Sequence, residues 1–367
     1  MMKKNLLKTV AMFAAMPMIL CSCGGSTSQT AATTAAANTG AAAAESTESK
    51  GTENKSSDAA VTMRLGHVVA DGSSLDKGLD KLAEIVDEKS GGSMKVEIYP
   101  NSQLGDNTAM AEQLQFGSLD MMAPSIAALS GFSNSTAIFD LPYLFKNEAA
   151  AEESLDGEVG NKVAESLQTS GFEVLGWMTQ SWRNVTCNKE VHTPDDMKGI
   201  KIRTMDSAYH IAHFNALGAS AIPMAMSEVY TAIQQGTIDA QENPYTNIVN
   251  SRFYEVQDYV IETRHIYDAC PVIVSSITWQ KLTPEQQEIL KDSVKEAVDW
   301  ERKEVANDDE VNKKTVSESG TTIIELSDDE REKFREAAQP VYDTYLSTYG
   351  DEGKANLETI EAINEKN

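Results

Sequence analysis

The stretch Trp182-Arg183-Asn184-Val185-Thr186-Cys187, then Lys198-Gly199-Ile200-Lys201-Ile202-Arg203, then Asp239-Ala240-Gln241-Glu242-Asn243-Pro244-Tyr245 decides how the chain is read. The first segment is strand-like. The turn Thr193-Pro194-Asp195-Asp196-Met197-Lys198-Gly199 leads into a second strand at Ile200-Lys201-Ile202-Arg203, and a helix and a third strand-like run follow. Two arginines thus sit on neighbouring strand-like segments, with a Glu-Asn-Pro turn after a third. A buried arginine is satisfied best by a planar anion, and a small carboxylate is the simplest one that meets its fixed donors. The stretch reads as a carboxylate clamp.

Outward from it, the same strand, helix, strand order repeats. Val61 to His67 alternates as a strand, and Ser73 and Ser74 can cap a helix carrying Leu75, Leu79, Leu82, Ile85 and Val86 at helical spacing. Met94 to Pro100 alternates again. A helix is expected over 106–116, a short strand over 119–122, a helix over 157–169 and a strand over 172–177. This order means a mostly parallel sheet with helices on its faces, so the fold class is α/β. Phe139-Asp140-Leu141-Pro142-Tyr143-Leu144-Phe145 is a compact apolar segment, read as a core plug.

Past the clamp, Cys270-Pro271-Val272-Ile273-Val274-Ser275-Ser276 reads as a strand returning to the first half of the chain. Thr283-Pro284-Glu285-Gln286 has the proline and Thr-x-x-Gln pattern of a helix start. Helix-compatible residues run from there to Glu318, roughly 50 Å of helix at 1.5 Å per residue. That is longer than one lobe, so the helix is expected to span two. A last strand is expected over 321–326. Ser327-Asp328-Asp329-Glu330 is a capping box for a helix reaching Tyr349, with a helical or frayed tail over 351–367.

Composition narrows the partners. A chain of 367 residues suits two domains better than one. With 31 Lys+Arg against 56 Asp+Glu its net charge is -25, so nucleic acid is excluded as a partner, because backbone binding needs basic surface. The charge favours a soluble monomer. Lys3, Lys4 and Lys8 precede an apolar run from Val10 to Leu20 and then Cys21-Ser22-Cys23-Gly24, the shape of an export signal over 1–22. The small residues before Cys23 resemble a bacterial lipobox, with Cys23 as the lipidated first mature residue. Residues 23–60 are rich in Ala, Thr, Ser, Gly and Glu without apolar periodicity and read as a disordered tether. Cys187 and Cys270 are left to pair or stay reduced, and buried reduced thiols are the preferred reading.

Several candidate sites weigh less. Strand alternation puts Arg183, Val185 and Cys187 on one face, and Arg203 ends its strand, where α/β loops gather ligands. His67 and Ser125 follow strand ends and are candidates for reading ligand hydroxyls. Tyr267 is a weaker candidate. His210 and His213 are three apart on a helix; with no acidic-histidine motif beside them they read as helix surface, not as a metal pair. No Gly-x-Ser-x-Gly elbow, phosphate-binding glycine loop or Cys-x-x-Cys occurs, so neither a cofactor nor a metal is expected and an enzyme is disfavoured.

Lys198 to Arg203, Met224-Ala225-Met226-Ser227-Glu228-Val229-Tyr230 and Asp239 to Pro244, in that order and spacing, resemble the substrate-binding proteins of TRAP transporters, the tripartite ATP-independent periplasmic family. Tyr99-Pro100-Asn101-Ser102-Gln103-Leu104-Gly105 and Gly117-Ser118-Leu119-Asp120 resemble that family's first-lobe signatures. The resemblance covers residues 63 to 343. It implies a two-lobed periplasmic-binding-protein-like fold, with crossing strands at the hinge and a long helix spanning both lobes. Lobe I is expected over 61–180 and 270–310, and lobe II over 181–269 and 311–350. It also implies capture of a small organic acid, sugar acids included, and its delivery to a membrane permease. By the same resemblance Arg203 pairs with the substrate carboxylate, Arg183 assists and Asn243 hydrogen-bonds the ligand. Met226 departs from the pattern, because relatives often carry an aromatic wall there, and a thioether shapes the pocket less definitely. Two alternatives stay open: a ligand sensor docking on a membrane protein, and a secreted enzyme on the same scaffold.

Overall fold

The computed structural model describes residues 61–367, which form one compact unit. The export signal, Cys23 and the tether lie outside the described residues. In chain order the elements are β1 (Val61–Gly66), α1 (Ser74–Lys89), β2 (Met94–Tyr99), α2 (Asn107–Gln115), β3 (Met121–Met122), α3 (Glu148–Asp156), α4 (Glu158–Thr169) and β4 (Phe172–Cys187). Then come β5 (Lys201–Thr204), α5 (Ala208–Ala216), β6 (Ser220–Pro223), α6 (Met226–Gln234), β7 (Ala240–Asn243), α7 (Tyr245–Asn250) and β8 (Tyr259–Ser275). The chain closes with α8 (Ser276–Trp279), α9 (Pro284–Glu318), β9 (Thr322–Ile324), α10 (Asp328–Ala337) and α11 (Gln339–Lys366).

A single nine-stranded sheet runs in the order β2-β1-β3-β8-β4-β7-β5-β6, with β9 on β8. β1 pairs in parallel with β2 and β3, β5 with β6 and β7, and β8 with β9; β4 and β8 are antiparallel to each other, β4 to β7 and β8 to β3. Successive residues of β8 face opposite ways, as the pleat requires. Ile273 joins one apolar cluster with α4 and α11, while Val272 and Val274 join another with α1 and α9. At the far end of the same strand Ile261 packs with α5 and α10, and Val260 with α6 and α7. Both faces are covered at both ends, which makes two lobes.

The main departure from expectation lies here. The sequence reads as separate strands at 172–177 and 182–187, yet these are one sixteen-residue strand, β4. Likewise β8 begins eleven residues before Cys270 and runs through Pro271, which pairs opposite Trp177. The two strands therefore cross from lobe to lobe together. Their register slips between Thr179 and Trp182 and between Arg183 and Val185. Ser181 (φ 69°) and Arg264 (φ 45°) sit there in the left-handed region, where non-glycine residues are uncommon. The slips also break the alternation that placed Arg183 and Val185 on one face. Val185 is core, and Arg183 meets the cleft.

Helix α9 starts at the expected capping box, Thr283 with Gln286, and ends at Glu318. Leu290, Val294, Ala297 and Val298 pack on the first lobe and Val316 on the second. Ser327 and Glu330 cap α10, but that helix stops at Ala337, and the residues expected as a tail are helical to Lys366 in α11. Cys187 and Cys270 are buried and unpaired. Phe139, Leu141, Leu144 and Phe145 are core, as expected of a plug.

Candidate functional site

A cavity of ≈ 660 Å³ opens between the lobes, a size suited to a small molecule. Arg183, Arg203, Asn243, Ser125 and Met226 all line it. The end of β5 delivers Arg203, the register slip in β4 delivers Arg183, and the β7–α7 corner delivers Asn243.

The two arginines differ in their surroundings. Arg183 is 1% exposed and fully engaged by its own chain. Its Nε donates to Glu242 Oε2 at 2.5 Å, Nη1 to Asp268 Oδ2 at 2.6 Å, and Nη2 to Glu242 Oε1 at 2.9 Å and to Asn243 Oδ1 at 3.2 Å. Burial works against its charge, but Glu242 and Asp268 outweigh that and hold the guanidinium firmly protonated. Arg203 is 4% exposed. Its Nε and Nη2 donate to the Met224 carbonyl at 2.9 and 2.7 Å, and it makes no ion pair among the described residues. Burial lowers its pKa to about 10; Glu242 raises it in part and the charge of Arg183 lowers it further. The cavity therefore holds one cation whose charge is answered and one whose charge is not.

Glu242, buried completely, is the hub beneath them. It also meets His265 Nε2 at 3.0 Å and has His210 Nδ1 at 3.9 Å. Burial opposes protonation of His210, but Asp140 (3.5 Å from Nε2) and Glu242 push it up to about 9. His213 stacks on His265 with ring centroids 5.5 Å apart, and burial with two neighbouring histidines keeps it neutral, well below the usual range. So His210 and His213 are buried, not helix surface. Two acids distant in sequence, Asp140 and Glu242, make that burial tolerable for His210. Among the described residues no cluster suited to a metal ion is found.

Two expected site residues are elsewhere. His67 is fully buried away from the cavity, its Nε2 2.9 Å from Asp76 Oδ1, and Asp76 also accepts from the Gly72 amide at 2.8 Å. It fixes the turn into α1. Tyr267 packs edge-on against Trp182 at 5.2 Å and Phe145 at 6.4 Å and belongs to the first-lobe core. Ser125 reaches the cavity but donates to Asp268 Oδ1 at 2.5 Å. The Met226 sulfur lies 3.9 Å from Asn243 Nδ2. Gln180, Asn247 and Asp268 also line the cavity and carried no local sequence signal.

A larger recess of ≈ 1020 Å³ lies between α10, α11 and residues 143–147. Three of its cations are partnered and the fourth, Lys146, is exposed: Arg335 pairs with Glu332 at 3.0 Å, Arg331 with Asp328 at 3.5 Å, and Arg264 lies over the Trp182 ring and 3.8 Å from Glu148. Size alone does not make it the site, because it lacks an unanswered buried charge.

Two α/β lobes joined by crossing strands, with a basic floor in the cleft between them, define an extracytoplasmic solute receptor. The model of the DctP family, bacterial extracellular solute-binding protein family 7, matches residues 65–348, and the chain belongs to that family, the substrate-binding proteins of TRAP systems. It is 35% identical over 283 residues to the 2,3-diketo-L-gulonate-binding periplasmic protein of Escherichia coli K12, covering 77% of this chain and 86% of that one. Among solved structures it is similar to the sugar acid binding protein of Advenella mimigardefordensis in complex with galactonate, with TM-score 0.80, 31% identity, and 84% and 99% of the two chains covered. A TRAP periplasmic solute binding protein from Sulfurospirillum deleyianum with bound succinate gives TM-score 0.79 and 31% identity, over 83% and 100% of the chains.

Proposed function

We propose that the chain captures a small organic carboxylate in the interlobe cleft, with Arg203 as its anchor, and delivers it to the membrane permease subunits of a TRAP system. One observation carries the reading: a desolvated guanidinium on the cleft lining with no carboxylate of its own. Such a group gains strongly from a planar anion. Relatives bound to galactonate and to succinate support a carboxylate as the guest. Asn243, on the same lining, offers the guest its Nδ2, which also donates to Gln241 Oε1 at 2.5 Å, and Met226 and Ser125 complete the wall. Arg183, already saturated by Glu242 and Asp268, serves as the post that aims Asn243.

Lobe I (61–180 and 270–310, with α11 packed on it, where 339–350 was expected in lobe II) and lobe II (181–269 and 311–338) close on the guest by bending at the register slips of β4 and β8. The chain acts as a monomer, held to the outer face of the cytoplasmic membrane by lipid on Cys23. The lysines, apolar run and cysteine of 1–23 support the anchor, and no described helix is long and apolar enough to cross a membrane.

A thermal-shift screen of organic acids tests the reading. A true ligand at ~100 times its Kd stabilises by roughly 2.7 kcal/mol, and the shift should vanish in Arg203→Ala. A shift that survives that substitution rejects the anchor. Scattering with ligand should show compaction, and Cys23→Ala should release the protein from membranes.

A further inference from the structure

We propose that the cleft selects a monocarboxylate bearing hydroxyl groups, and that Asn247 reads one of those hydroxyls. The inference rests on the carboxylate reading of Arg203. It follows from how the amides of the cleft floor must point, starting from the Arg183–Asp268 ion pair. Asp268 Oδ2 accepts from Arg183 Nη1 at 2.6 Å, so Gln180 turns its Nε2 to that oxygen, at 3.3 Å. Gln180 Oε1 is then left to accept from Asn247 Nδ2 at 2.9 Å. Arg183 only donates, so Asn243 turns its Oδ1 to it, and that oxygen accepts from Asn247 Nδ2 as well, at 3.2 Å. Both hydrogens of Asn247 are thereby committed. Its Oδ1 is left buried without a partner, on a residue 3% exposed that lines the cavity. A buried acceptor of this kind calls for a donor.

The rest of the lining points the same way. Asn107 Oδ1, on the first-lobe wall, is likewise buried and unpartnered. The exposed lining residues include Asp106, Glu112, Asp206 and Glu228, and the described lining holds no cation besides Arg183 and Arg203. Away from Arg203 the cavity thus offers acceptors and negative charge, with the hydroxyls of Ser102, Thr108 and Ser227 able to donate or accept. A hydroxylated tail donates to both. A second carboxylate brings only acceptors and a like charge, and an alkyl tail leaves Asn247 unsatisfied, so both are rejected.

Calorimetry on the full chain, freed of any co-purifying ligand, tests this with gluconate, galactonate and erythronate against hexanoate and succinate. At least one hydroxylated acid should bind about 100-fold more tightly than hexanoate or succinate. Asn247→Leu, which keeps bulk and loses the acceptor, should weaken that acid about tenfold or more and strengthen hexanoate, whose tail no longer strands a buried acceptor. Asp206→Asn combined with Glu228→Gln should strengthen succinate alone. Succinate or hexanoate matching the best hydroxylated acid overturns the proposal. So does an equal loss for both acid types in Asn247→Leu, which is what a merely structural role gives. If Asn247→Leu does not fold, the exposed acidic pair decides, and unchanged succinate affinity in the double variant overturns the charge argument. Gluconate-type binding that survives in Arg203→Ala, or no binding of any acid to the folded protein, sinks the carboxylate reading itself and not only the choice among acids.

Discussion

Arg183 and Arg203 line one cavity, are buried alike and come from β4 and β5, the two strands that flank β7, yet only one of them is available to a ligand. Glu242 and Asp268 surround the first. The second has a single backbone carbonyl, which takes two of its N–H groups and none of its charge. A buried charge without a counterion costs several kcal/mol, and a partner arriving from outside would relieve that cost. The contrast teaches that a receptor's anchor is found by looking for unmet electrostatics, and that residue type or burial does not distinguish it.

Substitutions should pull the two apart. Arg183→Ala strands two buried carboxylates, so it should lower the unfolding free energy of the ligand-free protein by roughly 3–5 kcal/mol in denaturant melts. A loss under about 1 kcal/mol would mean that the Glu242–Asp268 cluster is not what holds this corner together. Arg203→Ala should do the opposite: about 100- to 1000-fold weaker carboxylate binding by calorimetry, with a ligand-free melting temperature unchanged or raised.

His210 tests the hub between them. Its pKa is raised from 6.5 to about 9, so the stability it contributes is complete below about pH 6.5 and is lost as pH rises through about 9. Urea melts across that range should lose roughly 1–3 kcal/mol, and His210→Gln should flatten the slope. A slope untouched by the substitution would place the titration elsewhere. The smallest effect is expected for Arg203→Lys, which keeps charge but loses the planar fork: binding about tenfold weaker with little change in stability. Equal affinity would show that the anchor acts as a point charge only.

Much of the frame was legible from local pattern. The two capping boxes marked the starts of α9 and α10 to the residue, and the absence of Pro or Gly after Pro284 gave the length of α9. Arg203 was legible from its place at a strand end and the motif around it. What escaped depends on partners far away in sequence. Arg183 looked like a second anchor because Asp268, 85 residues on, gives no local sign of pairing with it. His210 and His213 looked like surface because histidine counts as polar until Asp140 and Glu242 come into place. β8 looked short because Pro271 suggests a strand start, although one missing N–H does not end a strand held by its long pairing with β4. Asn247 showed nothing at all, since its importance lies in which way its amide is turned.

The described chain passes between the lobes by β4, β8, α9 and the α10–α11 corner, an even number of crossings. Its first strand and the end of its last helix therefore finish on the same side, with Lys366 tied to Glu153 of α3 at 2.7 Å. Whatever is fastened at either extremity grips that lobe alone. The other is left to swing like a gate hung from a fixed post, and fluorescent labels or immobilising linkers placed at both extremities would report the post and miss the gate.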